Sequence, residues 1–484
     1  MSSVTALSTG PAPVRFGRRS TRGLLLGLSA PRCISAGAAI AVLVLGLVAA
    51  GGIGLVASGL VWVPLLAITF FTWQGVALVD WVPVVGHWTV RKFTRQTEFR
   101  ARVSALRPAG TMALPGDAAA LRFYEEPGTG VCMVHDPHHQ TLSVVVAVTH
   151  PAYVLLSPTD QHSRVTAWGR LLASLSKSGH CSAVQILEAT VSDPGTGVAG
   201  WYDRNGTHDG GWADTNYAAL LAESRHGSST HRTTITISLD MRRAGRAIRE
   251  AGRGVTGAAV ILRADMEALE YSLRAAELHI DRWLDAAALA VIVRQAYDPA
   301  ATLRADSPGA NLATAGPVGL SEHWSYLRHD SGYSAVLWIS EWPRQGVAPN
   351  FLHPLIFAQG VRRSLTIVAH PLSTNEAMKQ IRKEKTEAIT DSSQKVKVGQ
   401  LEDLSDHQEY DDVLAREQAL IAGHVDMEFS GFVTVSAATR DELAAAVAQV
   451  EQAVGQSTCE NRVLYGRQAQ GFVVCALPFA RSVI

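Results

Sequence analysis

No Gly-Lys dipeptide occurs anywhere in the 484 residues. Without it there is no G-x-x-x-x-G-K-[ST] loop, so the backbone cradle and lysine of P-loop ATP hydrolysis are missing. No C-x-x-C pair occurs either. The five cysteines (Cys33, Cys132, Cys181, Cys459, Cys475) are scattered, and an odd number without motif spacing argues against a zinc knuckle and a disulfide framework. A reducing compartment is the simpler reading. No G-x-S-x-G elbow is present, which removes the usual signature of a serine hydrolase. Net charge is absent as well, with 43 Lys+Arg against 43 Asp+Glu. No global field therefore points toward nucleic acid or a cationic partner. The balance is local, however. Residues 1–79 contain no carboxylate but five arginines, Arg15, Arg18, Arg19, Arg22 and Arg32.

Apolar length is what the N-terminal region has instead. From Ile34 to Val79 no residue is charged, and one spanning helix needs only about 20 residues, so the run suits two. The Gly-rich centre, Gly51 to Leu60, is the expected turn. Trp62 and Trp81 stand ~28 Å apart at helical rise, one indole at each interface. Arginines before the run, and Arg91, Lys92, Arg95, Arg100 and Arg102 after it, predict that both flanks are cytoplasmic under the positive-inside rule. The h-region of a secretory signal is only ~7–15 residues, far shorter than this run.

The remainder predicts an α+β protein. Val131 to Val148 reads as two strands around an Asp-Pro turn, Trp168 to Leu175 as helix, and Ala183 to Val191 as strand. Asp193 to Thr230, rich in Gly, Asp and Ser, reads as a long loop or domain junction. Thr233 to Leu239 is a strand, and Val260 to Leu262 a short apolar run. A helix then carries Met266, Leu269, Leu273, Ala276, Ile280 and Leu284 on one stripe. Leu365 to Pro371 is a strand followed by Ser373-x-x-Glu376, and Val433 to Ala437 a strand followed by Thr439-x-x-Glu442. Both tetrads are capping boxes that open helices. Phe472 to Leu477 (FVVCAL) reads as a final strand. Strand, capped helix and strand in this order suggest ferredoxin-like, split βαβ antiparallel sheets. Mixed charges at helical spacing between Asn375 and Gly423 read as a solvated helical hairpin inserted in the second sheet. The expected divisions are a basic N-terminal segment (1–32), a transmembrane helical hairpin (33–82), a first cytoplasmic domain (83–228) and a second (229–484) with its charged insertion at about 375–423.

The candidate chemistry is thin. Gly195 to Gly200 matches G-x-G-x-x-G, but the following Trp201 to Gly206 reads as turn, and the dinucleotide fingerprint works only with a helix N-terminus behind it. His135, Asp136, His138 and His139 are metal-ligand types, yet they sit in a tight turn whose side chains diverge. His323, His329, His353 and His370 are dispersed and read as surface or interface residues. In SEWPR, Glu341 and Arg344 offer an acid and a clamp, but Pro343 cannot continue a ladder, so the stretch reads as a strand end with Trp338 and Trp342 packing at core and rim. No catalytic, cofactor-binding or metal-binding residue is assigned, and no cofactor is expected.

Several segments carry a resemblance to a known family: GLSEHWSYLRHDSGYSAVLWISEWPR (Gly319 to Arg344), FLHPLIF, RRSLTIVAHPLS, GHVDMEFSGFVTVSAATRDEL and LYGRQAQGFVVCALP. They resemble integral membrane proteins of actinobacterial conjugative elements, encoded with type IV secretion components. Such proteins are similar to a PrgI-type two-helix head fused to a domain like the N-terminal part of the conjugation ATPase. The resemblance implies a non-enzymatic, membrane-anchored platform that docks a motor ATPase and polytopic channel proteins and is oligomeric within a larger complex. Near-neutral charge argues only weakly against contact with DNA. A two-helix anchor before a cytoplasmic α/β domain also looks like the small membrane component of a type VII secretion core. A membrane-tethered, transferase-like enzyme would need a convergent acid/base or metal constellation that the sequence does not display.

Overall fold

The computed structural model describes residues 14, 16, 29–101, 108–149, 153–192, 196–224, 229–301, 310–343, 345–398, 404–422 and 424–482. The chain forms two compact units. One holds Thr97–Leu372 and Met427–Ile484 with the N-terminal residues up to Phe16; the other holds Gly17–Gln96 and Ser373–Asp426.

The second unit begins with α1 (Ala30–Phe70), one helix long and apolar enough to cross a membrane by length and composition. Two residues inside it leave helical geometry, Ala50 (φ −145°) and Gly51 (φ 54°). Positive φ is tolerated there because Gly51 has no Cβ. Ser35 Oγ lies 2.6 Å from Thr69 Oγ1, although 34 residues of straight helix would separate them by ~50 Å. Gly46 and Gly54 also meet: a Cβ on Gly54 would stand 2.0 Å from the Gly46 carbonyl oxygen. The apolar helix expected to continue to Trp81 stops at Phe70. The strands β1 (Thr72–Trp73) and β2 (Val76–Ala77) form a two-residue hairpin whose central Gln74 and Gly75 both have positive φ, as a type I′ turn requires. Trp81 therefore belongs to the next helix, α2 (Leu78–Phe93), and packs edge-on against Trp73.

The first unit is built on one antiparallel sheet of thirteen strands. Its first half comprises β3 (Glu98–Arg100), β4 (Arg122–Glu125), β5 (Cys132–Asp136), β6 (Thr141–Thr149), α3 (Pro158–Lys177), β7 (Cys181–Ser192), α4 (Thr196–Asn205), α5 (Trp212–Ser224), β8 (Ser229–Asp240), α6 (Gly245–Glu250), α7 (Gly254–Ala275) and β9 (His279–Trp283). The helix α8 (Ala286–Tyr297), N-capped by Asp285, leads to β10 (Gly319–Glu322), β11 (Leu327–His329), β12 (Gly332–Glu341), α9 (His353–Ile356) and β13 (Arg362–Pro371). The helices α10 (Thr374–Val398) and α11 (Leu404–Ile421) precede β14 (Met427–Ala437), α12 (Arg440–Gln456), β15 (Glu460–Val463) and α13 (Gln468–Ala476).

Strands neighbour in the order β9-β6-β8-β7 in one half and β15-β12-β14-β13 in the other. Counting from the first strand of each set, both read 4-1-3-2. The two sets join where β7 pairs with β13 from Ala189↔Ser364 to Val184↔Ala369. The expected domain boundary at 228/229 thus falls between β7 and β8, which pair along their full lengths. A split there would unpair two central strands.

Period-two patterning divides the sheet faces. On one face Val144, Val146, Ile235 and Ile237 pack with Leu262, Met266, Leu269 and Leu273 of α7, and Leu337, Leu365, Val433 and Val435 pack with Leu443, Val450 and Val454 of α12. The Val260–Leu262 run lies inside α7 rather than ahead of it. The other face carries α8 and α13 over Val145, Ala183, Val336, Val368 and Phe432. It also carries a buried polar row, with Ser143, Gln185, Thr236, Ser238, Thr366 and Thr434 all at 2% exposure or less.

That row explains why FVVCAL is helical and not a strand. A helix leaves its last carbonyls unpaired, and here the sheet supplies their donors. Gln185 Nε2 reaches Val474 O and Leu477 O, both at 3.0 Å. Thr366 Oγ1 donates to Cys475 O at 2.7 Å, and Thr236 Oγ1 to Pro478 O at 3.1 Å. Ala480 N then donates to Gln185 Oε1 at 2.6 Å. Each such bond is worth ~1 kcal/mol, and each buried carbonyl left without one costs more.

Candidate functional site

Two helical arms interrupt the sheet at equivalent points, between the second and third strand of each set. The sequence located one of them. The α10–α11 arm opens with the expected capping box, Ser373 N donating to Glu376 Oε2 at 3.0 Å and Glu376 N to Ser373 Oγ at 3.2 Å. Ala377, Ile381 and Ala388 are buried. The charges are not merely solvated; they tie the helices together. Lys385 pairs with Glu417, and Arg416 Nη1 lies 3.0 Å from Glu384 and Nη2 2.6 Å from Asp426. Burial pulls the Arg416 pKa down, but its bonds to Asp426 and Glu384 outweigh that and raise it. Arg382, Lys383, Glu387 and Ile389 remain exposed.

The other arm, α4–α5, occupies the stretch expected to be a long loop. Gly and Asp dilute the helical signal there, although Ala218-Ala219-Leu220-Leu221-Ala222 carries it. Tyr202 donates to Asp214, which also accepts from Gly210 N at 2.9 Å. The Tyr217 ring packs edge-on against Tyr202 at 4.8 Å. The bond to Asp214 pushes the Tyr202 phenol up to about 12, and the same bond lowers Asp214. Outside this tie, Trp201 (58% exposed), Trp212 (82%) and Leu220 (58%) face solvent.

The enzymatic candidates fare differently. The helix α4 begins inside the Gly195–Gly200 motif, at Thr196, and runs on through the Trp201–Asn205 stretch expected to be a turn; Gly195 lies outside the described residues. Yet the strand before it, β7, pairs antiparallel with the strand after it, whereas the dinucleotide fold needs a parallel crossover. Asp136 closes the His-rich turn by accepting from the His138 and His139 amides and by contacting His139 Nδ1 at 2.9 Å and Arg481 Nε at 2.9 Å. Among the described residues no three His, Cys, Asp or Glu side chains gather around a metal-sized space.

His329, expected at a surface or an interface, is 1% exposed. Its Nδ1 lies 2.5 Å from Tyr297 O and its Nε2 2.7 Å from Ser334 Oγ. This is a Ser–His pair, but burial pushes the imidazole down to about 4, a backbone carbonyl stands where an orienting carboxylate would, and Ser334 is fully buried. Burial likewise pushes the thiols of Cys132, Cys181, Cys459 and Cys475 up to about 12, far from thiolate reactivity.

The SEWPR stretch ends β12 at Glu341. Trp342 stacks on Phe16 with ring centroids 4.9 Å apart, and its indole covers Gly431, where a Cβ would clash at 2.8 Å. Val14 bonds Val347 in both directions, so Val14 and Phe16 are held beside the strand end. Arg344 lies outside the described residues. No known family model matches the chain, and no curated protein matches it.

Proposed function

We propose that this chain is a non-enzymatic, membrane-anchored structural component of a type IV-like conjugation or secretion machine, with the α10–α11 arm docking a motor ATPase. The observation that carries the reading is the interrupted apolar helix. The break at Ala50–Gly51 and the Ser35–Thr69 hydrogen bond support two antiparallel spans, Gly46 and Gly54 giving the close approach that small residues allow between membrane helices. Arginines on both flanks support cytoplasmic termini and a cytoplasmic sheet. The 4-1-3-2 order in both strand sets supports a pair of ferredoxin-like, split βαβ modules. An arm fixed by internal ion pairs, with further charges left exposed, supports a preformed recognition surface.

Affinity purification from mildly solubilised membranes tests it, with co-purifying proteins identified by mass spectrometry. Recovery of a conjugation-type ATPase and polytopic channel proteins supports the assignment. Recovery of type VII core proteins moves the anchor to that machine. A protein that purifies alone with bound nucleotide or metal overturns the structural role.

A further inference from the structure

The helix α2 carries an apolar face that the protein leaves uncovered, and it starts where the apolar helix α1 stops. The β1–β2 turn brings the two ends together. Leu78 N donates to Phe71 O at 3.0 Å, and Trp81 Nε1 donates to Trp73 O at 3.3 Å. Whatever surrounds the end of α1 therefore meets the start of α2. Phe70, Phe71 and Trp73 stand exposed at this junction, rings of the kind that settle at a membrane–water boundary.

Along α2, Leu78, Val82, Val85, Thr89 and Phe93 recur at three- and four-residue spacing and so share one stripe, flanked by Val90. Val82, Val85, Val90 and Phe93 are all exposed, Phe93 at 86%. Scattered surface apolar residues need no explanation, but a continuous stripe does. The threonines are prepared for dry surroundings. Thr89 Oγ1 donates to Val85 O at 2.7 Å and Thr94 Oγ1 to Val90 O at 2.8 Å, so neither hydroxyl depends on water. Asp80, His87 and Arg91 share the other side of the helix. The 16 residues of α2 reach ~24 Å at helical rise, short of the ~30 Å hydrocarbon core. That length, with a polar side, suits a helix lying on a bilayer and not one crossing it.

Charge selects the same occupant. Asp80 is the only carboxylate in residues 1–97, whereas Lys92 and Arg95 are exposed at the C-terminal end of α2. Exposed cations beside a membrane segment are drawn to anionic lipid headgroups.

We propose that α2 docks flat on the bilayer surface, its Val82–Val85–Phe93 stripe against lipid chains and Lys92 and Arg95 on anionic headgroups. Tethering by α1 makes even a weak interfacial affinity sufficient. The proposal rests on the reading of α1 as membrane-embedded but not on the motor-docking role.

The test reconstitutes the full chain in vesicles of mixed phosphatidylcholine and phosphatidylglycerol. A photoreactive benzophenone amino acid replaces Leu45, Val85, His87 or Phe93 in turn, and mass spectrometry identifies what each position captures on irradiation. Lipid is expected at Leu45, Val85 and Phe93 but not at His87, on the polar side. At Phe93 the captured lipid should be enriched in phosphatidylglycerol at least ~2-fold over its share of the vesicle. Lys92→Gln combined with Arg95→Gln should remove that enrichment and leave capture itself. Lipid at Leu45 but none at Val85 and Phe93 overturns the proposal while the membrane reading of α1 stands. No lipid at Leu45 overturns both. Capture of a second copy or another protein at Val85 and Phe93 makes the stripe a protein interface and likewise overturns it. Capture without phosphatidylglycerol enrichment overturns the headgroup role of Lys92 and Arg95.

Discussion

The arm between β7 and β8 and the arm between β13 and β14 enter the sheet at equivalent points, Ser192 facing Ser229 in one case and Pro371 facing Met427 in the other. Between those points they differ in kind. The α4–α5 arm is closed by one tyrosine–aspartate bond and shows Trp201, Trp212 and Leu220 to solvent. The α10–α11 arm is closed by ion pairs through Lys385 and Arg416 and shows charge. A repeated framework with divergent insertions teaches that the strands carry stability while the arms are free to carry recognition. Neither arm can slip in register, because the strands on either side remain paired to its base.

Four outcomes sharpen or break that comparison. The largest concerns how each strand set grips the last helix. Gln185→Leu, in the first set, leaves Val474 O, Leu477 O and Ala480 N without their partner and is expected to cost about 3 kcal/mol or more. Thr366→Val, in the second, strands Cys475 O and removes the longer, 3.4 Å bond that Thr366 Oγ1 accepts from Gln185 Nε2, and is expected to cost about 1–2 kcal/mol. Chemical denaturation of the full chain measures both, and equal losses would contradict the unequal grip. Next in size, Arg416→Ala removes two half-buried pairs and is expected to loosen the α10–α11 arm by about 1 kcal/mol, an effect that shrinks as salt rises. Hydrogen exchange should localise it to residues 374–421. The smallest effect is acid opening of the α4–α5 arm. Asp214 has a depressed pKa, so its tie to Tyr202 is present above the unfolded value of ~3.9 and is lost as pH falls through the lower folded value. Trp201 and Trp212 emission should therefore change only below about pH 4. A transition centred at pH 5 or above would place the arm's closure elsewhere.

What was legible in the sequence was what is local. The Thr439–Glu442 capping box is complete within four residues and forms as expected, and the charged arm between Asn375 and Gly423 announced itself by spacing. FVVCAL was misread because six apolar residues fit a buried strand or a buried helix equally. The deciding partners, Gln185 and Thr366, stand 289 and 109 positions before the carbonyls they bind. Trp73-Gln74-Gly75-Val76 was overlooked as a hairpin because it lies inside an uncharged run. The approach of Arg232 and Arg362 to Gln295 gave no signal at all, since strands β8 and β13 and helix α8 meet only in the folded chain. His329 looked like any dispersed histidine until Tyr297 and Ser334 closed around it.

The central claim, that the α10–α11 arm is where the motor docks, is tested most directly by paired deletions. Because Pro371 faces Met427, a short Gly-Ser turn can replace residues 373–425, and a similar turn can replace 194–227 between β7 and β8. Each variant is affinity-purified from membranes, and co-purifying ATPase is quantified against the intact chain. The account predicts that the first deletion abolishes ATPase recovery while the second leaves it, with both retaining the sheet by circular dichroism. Undiminished recovery from a folded chain lacking α10–α11 would contradict it.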